Sequence, residues 1–162
     1  MLHELIGLPS FTVVGLEQAG PASSAFEWVP PLWGKLVRAT QELEHPLDIQ
    51  GSWGLMSDAE VFLAPWKEQG RYLAGWQVPR GTTPPSGWTI WTLPASSWVR
   101  VGIRMEQYAD AQRFLFGHFL PEGPWEQAGA LHEFYPREFK NPNTDILLLC
   151  MPLNPRESSS SK

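Results

Sequence analysis

The sequence is short of cysteine, of charge and of long apolar runs, and each shortage closes off a class of function. Cys150 is its single cysteine. One thiol can form neither an intrachain disulfide nor a zinc ribbon, and such sparing use of cysteine fits a reducing compartment. A cytoplasmic location is expected. Charged residues make up 18% of the chain, against about 25% in ordinary soluble domains. The balance is acidic, with 12 Lys and Arg against 17 Asp and Glu. Nucleic-acid binding needs basic side chains to meet phosphates, so direct nucleic-acid binding is not expected. No apolar run approaches a membrane span, and no N-terminal segment carries basic, apolar and cleavage regions in order.

The familiar chemical motifs are missing too. There is no G-x-G-x-x-G or P-loop and no G-x-S-x-G elbow. His3, His45, His118 and His132 lack zinc-protease spacing, and the acidic residues do not cluster at ligand spacing. Neither a metal nor a cofactor is expected. Proline and tryptophan are plentiful instead, at 16 and 9. Tryptophans bury large areas and dominate both cores and binding sites. Nine in a chain of 162 residues leave some free to line a cavity.

Along the chain, "FTVVGLEQ" reads as a strand and a helix follows over 31–44, opened by Pro30 and Pro31 and ended by Pro46. Strands are expected in "SWGLMS" and "RYLAGWQVP". "RGTTPPSG" is a turn-rich linker at the midpoint. After it come strands in "WTIWTLP" and "SWVRVGIRM", a helix over 107–120, and strands in "ALHEFYPREF" and "TDILLLCMPL". The order strand–helix–strand–strand occurs on both sides of the linker. This predicts an α+β fold of two βαββ halves with a mostly antiparallel sheet covered by helices. A groove between the two helices is the expected ligand site. One domain over 1–154 is expected, with a disordered polar tail over 155–162.

"LHEFYP" poses a problem. Side chains alternate along a strand, so Leu131, Glu133 and Tyr135 share one face. A carboxylate on a buried apolar face is costly unless something pairs with it.

The chain also resembles a family. "LPSFTVVGLE", "YLAGWQVP", "LPASSWVRV", "FLFGHFLPEGPWEQAGALHEFYP" and "TDILLLCMPL" are similar, in order, to segments of GyrI-like proteins, which share the AraC-type effector-binding domain. The resemblance implies two βαββ halves about a pseudo-twofold axis, with an aromatic cleft holding the glutamate that Glu133 matches. It implies a small-molecule ligand, planar aromatic or cationic, bound for sensing or sequestration, as in multidrug-responsive regulators and stand-alone drug-binding proteins. It leaves open a hydrolase that opens cyclopropane rings of planar genotoxins, with Glu133 as catalytic general acid–base acting on water. Trp33, Trp53, Trp76, Trp98, Phe119 and Tyr135 are the expected cleft lining. A third reading makes Glu133 a structural ion-pair partner of Arg100, Arg104 or Arg137.

Overall fold

The structure, a computed structural model, describes residues 1–157. Its elements are β1 (Glu4–Leu8), β2 (Phe11–Pro21), α1 (Ala25–Gln41), β3 (Gly51–Asp58), β4 (Gln69–Val78), β5 (Thr89–Leu93), β6 (Ser96–Ile103), α2 (Tyr108–Phe114), β7 (Trp125–Gln127), β8 (His132–Tyr135) and β9 (Leu147–Pro155). The second helix continues through a π-helical turn, Leu115–Phe119, and a last turn, Leu120–Glu122. All strands join one antiparallel sheet in the order β1-β6-β9-β8-β3-β4-β2-β5, with β7 beside β9.

The expected α+β class and its two halves are present. β2-α1-β3-β4 forms one half and β6-α2-β8-β9 the other, and the central pair is β3 with β8. Each half receives its outer strand from the chain that leads into the other. β1 precedes β2 but pairs with β6, and β5 precedes β6 but pairs with β2. Leu8-Pro9 and Leu93-Pro94 mark the two crossings, where proline ends the strand because it has no N–H for the ladder.

Alternation decides what each face buries. On β6, Val99, Val101 and Ile103 meet Ala111 and Leu115 of the second helix, together with Leu147, Leu149, Met151 and Leu153 of β9. Leu32 and Leu36, one helical turn apart, seat α1 on Tyr72 and Ala74 of β4. Both helices therefore lie on one side of the sheet. The sheet was expected to be covered by helices; its other side is covered by its own curl. Phe11 of β2 and Trp98 of β6 lie five strands apart in the order, which in a flat sheet is about 24 Å. Their rings are 6.2 Å apart, with Trp53 stacked on Phe11 at 4.7 Å.

Three boundaries differ from expectation. α1 begins at Ala25, six residues before 31, and ends at Gln41 instead of at 44, so Pro30 and Pro31 lie inside it. Their missing N–H groups deprive the carbonyls of Phe26 and Glu27 of helical partners. All four residues are exposed, so water can take the place of those partners. The second helix runs two residues beyond 120. In the segment expected as a polar tail, Pro155 closes β9 and the Arg156 N–H donates to the Pro124 carbonyl at 2.7 Å. Residues 158–162 of that segment lie outside the described residues. No described helix is long and apolar enough to cross a membrane.

Candidate functional site

Glu133 sits on β8 at the junction of the two halves, opposite Gly54 on one side and Leu149 on the other. It is buried, with 7% of its surface exposed. Three hydroxyls donate to its carboxylate. Tyr72 of β4 reaches Oε1 at 2.6 Å, Tyr135 of β8 reaches Oε1 at 2.8 Å, and Tyr108, the first residue of α2, reaches Oε2 at 2.8 Å. The sequence contains three tyrosines, and all three serve this one carboxylate.

The ion-pair reading is overturned. Arg100 is paired with Glu4 and Arg104 with Glu106, Arg137 is exposed, and among the described residues no cation pairs with Glu133. Burial pushes the Glu133 carboxyl above its ordinary range, and the three tyrosine hydrogen bonds pull it back in part. Burial, and then the charge of Glu133, push the three phenols upward, so they remain protonated donors. The result is a buried carboxyl group held by three hydroxyl donors, with no counter-ion among the described residues.

Aromatic rings close the site from above. Trp33 of α1 donates its indole N–H to the Tyr72 hydroxyl at 3.0 Å. It also sets its ring edge-on to Tyr135 at 5.2 Å and to Trp76 at 6.3 Å. The Trp76 indole is anchored on the Thr40 hydroxyl at 2.8 Å. Below, Gly54 supplies the space: a Cβ there would stand 1.9 Å from the Tyr72 hydroxyl and 2.7 Å from Glu133 Oε1.

Of the residues expected in the cleft, Tyr135 bonds Glu133, Trp33 reaches it through the Tyr72 hydroxyl and Trp76 packs on Trp33; the other three lie elsewhere. Trp53 and Trp98 lie on the opposite face, in the core formed by the curl of the sheet, 4% and 1% exposed. On β3 it is Gly54, not Trp53, whose position faces Glu133; on β6 the helix-facing residues are the valines, which sends Trp98 to the reverse. Phe119 packs near His3 and Phe114 at the far end of the second helix. Sequence reasoning missed Tyr72, Tyr108 and Gly54. A signal for Tyr72 existed: in "RYLAGWQV" it is four residues before Trp76, on the same strand face.

The chain spans the fold it shares with known proteins. The family model of the GyrI-like small molecule binding domain matches residues 1–154. The transcriptional regulator BrlR of Pseudomonas aeruginosa is 25% identical over 145 residues, covering 88% of this chain. This chain spans 51% of the length of BrlR. Among solved structures, SAV2435 bound to tetraphenylphosphonium superposes with a TM-score of 0.70 at 16% identity, over 95% of this chain and 94% of that one. EcmrR, in a complex with DNA, superposes with a TM-score of 0.66 at 14% identity, over 96% of this chain and 58% of that one. The family match over nearly the whole chain places this protein in the GyrI-like small-molecule-binding family.

Proposed function

We propose that the protein binds planar or bulky aromatic cations between α1 and α2, with Glu133 as counter-ion, for sensing or sequestration. The observation that carries this reading is the buried carboxylate held by three tyrosine hydroxyls, with no cation paired to it among the described residues. A charge kept in such a place at a cost gains most from a ligand that brings the opposite charge and its own apolar surface. Trp33, Trp76 and Tyr135 supply ring faces, and each cation–π contact contributes ~0.5–2 kcal/mol. The structural neighbour bound to tetraphenylphosphonium supports this class of ligand. Trp33 stands over Glu133, so entry requires its ring to leave the Tyr72 hydroxyl.

The test compares tetraphenylphosphonium with uncharged triphenylphosphine oxide by tryptophan emission. The cation is expected to quench emission saturably and to bind at least ~10-fold more tightly than the neutral compound, the least that removing a buried counter-charge leaves. Equal affinity for both, or no binding of either, overturns the reading. The raised carboxyl of Glu133 also suits acid–base work. Conversion of a cyclopropane-bearing planar compound, lost in Glu133→Gln, is the result that would make the protein an enzyme.

A further inference from the structure

The reverse face of the sheet holds a cavity of about 180 Å³. Its walls are Leu8, Trp53 and Phe134, and its polar groups come from Gln50, Gln77 and Arg100. A cavity of ~150 Å³ is enough to admit benzene. Trp53 and Gln77 belong to one half of the fold, and Phe134 and Arg100 to the other. The cavity therefore spans the same junction as Glu133 from the other side, because Phe134 and Glu133 are consecutive on β8 and point to opposite faces.

Two of its three polar side chains, Gln77 and Arg100, have donors to spare. The Trp53 indole donates to Gln77 Oε1 at 2.8 Å. An indole N–H can only donate, so the amide orientation is fixed. The Gln77 NH₂ group then points away from Trp53, and among the described residues it has no protein acceptor. Arg100 is one-quarter exposed, and its Nε donates to Glu4 Oε1 at 2.9 Å. A second guanidinium nitrogen reaches the same oxygen. Both bonds fall on one atom of an exposed side chain, a type of pair that contributes little, and the remaining guanidinium N–H groups stay available. Cys150, which also lines the cavity, is fully buried, and burial keeps it a neutral thiol. The cavity thus offers surplus donors and one cation among aromatic and aliphatic walls.

We propose that this cavity is a second ligand site, for a small aromatic monocarboxylate whose ring lies against Trp53 and Phe134, themselves packed edge-on at 4.9 Å, and whose carboxylate replaces Glu4 on Arg100. The proposal is independent of the cation reading, since it uses other residues on another face. Benzoate is the probe, titrated by calorimetry and by tryptophan emission, with benzamide as the uncharged match. Benzoate is expected to bind one per chain with a Kd of about 1 mM or tighter, a range suited to a ligand of its size. Affinity should fall at least ~10-fold for benzamide and for Arg100→Met, as for loss of a charge-assisted contact. Leu8→Phe, which fills the space without touching the charge, should block binding, and Glu133→Gln should leave it unchanged. No binding by ~10 mM, equal binding to Arg100→Met, or loss in Glu133→Gln would each overturn the assignment.

Discussion

Gly54→Ala is expected to be among the most damaging single-methyl changes in this protein, lowering the melting temperature by roughly 10 °C and removing cation binding. The added Cβ would fall 1.9 Å from the Tyr72 hydroxyl and 2.7 Å from Glu133 Oε1. Neither neighbour can retreat easily, because Tyr72 is 1% exposed and its hydroxyl is also held by Trp33. Overpacking a core costs ~1–3 kcal/mol, and stripping a buried hydrogen bond adds ~1–3 kcal/mol. For a domain of this size each kcal/mol moves the midpoint by about 2–4 °C. Gly7→Ala is the control, since a Cβ there meets no atom within 4 Å. Tyr72→Phe should recover part of the loss in the Gly54→Ala background, because it removes the atom that clashes most. A Gly54→Ala protein that melts within ~2 °C of the parent would show that the site tolerates what its geometry forbids.

Acid should unfold the protein through His132. This side chain is 1% exposed and sits behind Glu133, where its Nδ1 accepts the Met56 N–H at 3.0 Å. It continues the β3–β8 ladder past its last backbone pair, Gly54 with Glu133. A proton on Nδ1 would set two donors against each other, and burial lowers the His132 pKa from 6.5 to about 3. The folded pKa lies below the unfolded one, so the unfolded state takes up the proton first. Stability is complete above pH 6.5 and is lost as pH falls from 6.5 towards 3, with a slope of up to ~1.4 kcal/mol per pH unit and a total on the order of 5 kcal/mol. Glu133 acts in the opposite sense. Its folded pKa is raised, so its ionised form costs stability as pH rises above 4.5, and that cost is relieved on acidification. Urea titrations from pH 7 to 4 in the Glu133→Gln background isolate the histidine. His132→Asn, whose amide oxygen can accept the Met56 N–H without titrating, should flatten the slope. A slope that survives this substitution would place the acid sensitivity elsewhere.

How far the sequence foretells these results depends on whether one strand face differs from the other. "SWVRVGI" alternates, so its valines were grouped on one face and Trp98 on the other, but Trp98 was taken for cleft lining whereas it is the valines that β6 turns to a helix. "LHEFY" alternates enough to put Glu133 and Tyr135 together. "SWGLM" is apolar on both faces, so nothing in it told Trp53 from Gly54, and the larger residue was taken for the functional one. The partners of Glu133 were hidden by distance along the chain: Tyr72 is 61 residues away and Tyr108 is 25. The curl of the sheet was not legible either, since it brings together residues five strands apart. α1 was misplaced because two prolines usually mark a first turn, whereas here solvent exposure of the preceding turn lets them stand inside the helix. β1 and β7 are short and largely exposed or half-buried, with little pattern to read.

The central claim is that Glu133 is held in place for a cation rather than for the fold. Glu133→Gln keeps the side chain's shape, and a tyrosine hydroxyl can turn to accept from the new amide. Burial dominates the shift of this carboxyl, so removing the charge should leave the melting temperature unchanged or raised. At an effective dielectric of about 20, charges ~6 Å apart attract by about 3 kcal/mol, which is ~100-fold in Kd. The decisive measurement is calorimetric titration of Glu133→Gln with tetraphenylphosphonium, paired with its thermal melt. A Kd weakened by ~30–100-fold in a protein as stable as its parent is the predicted result. A protein that melts much earlier and still binds the cation as tightly as before would contradict it.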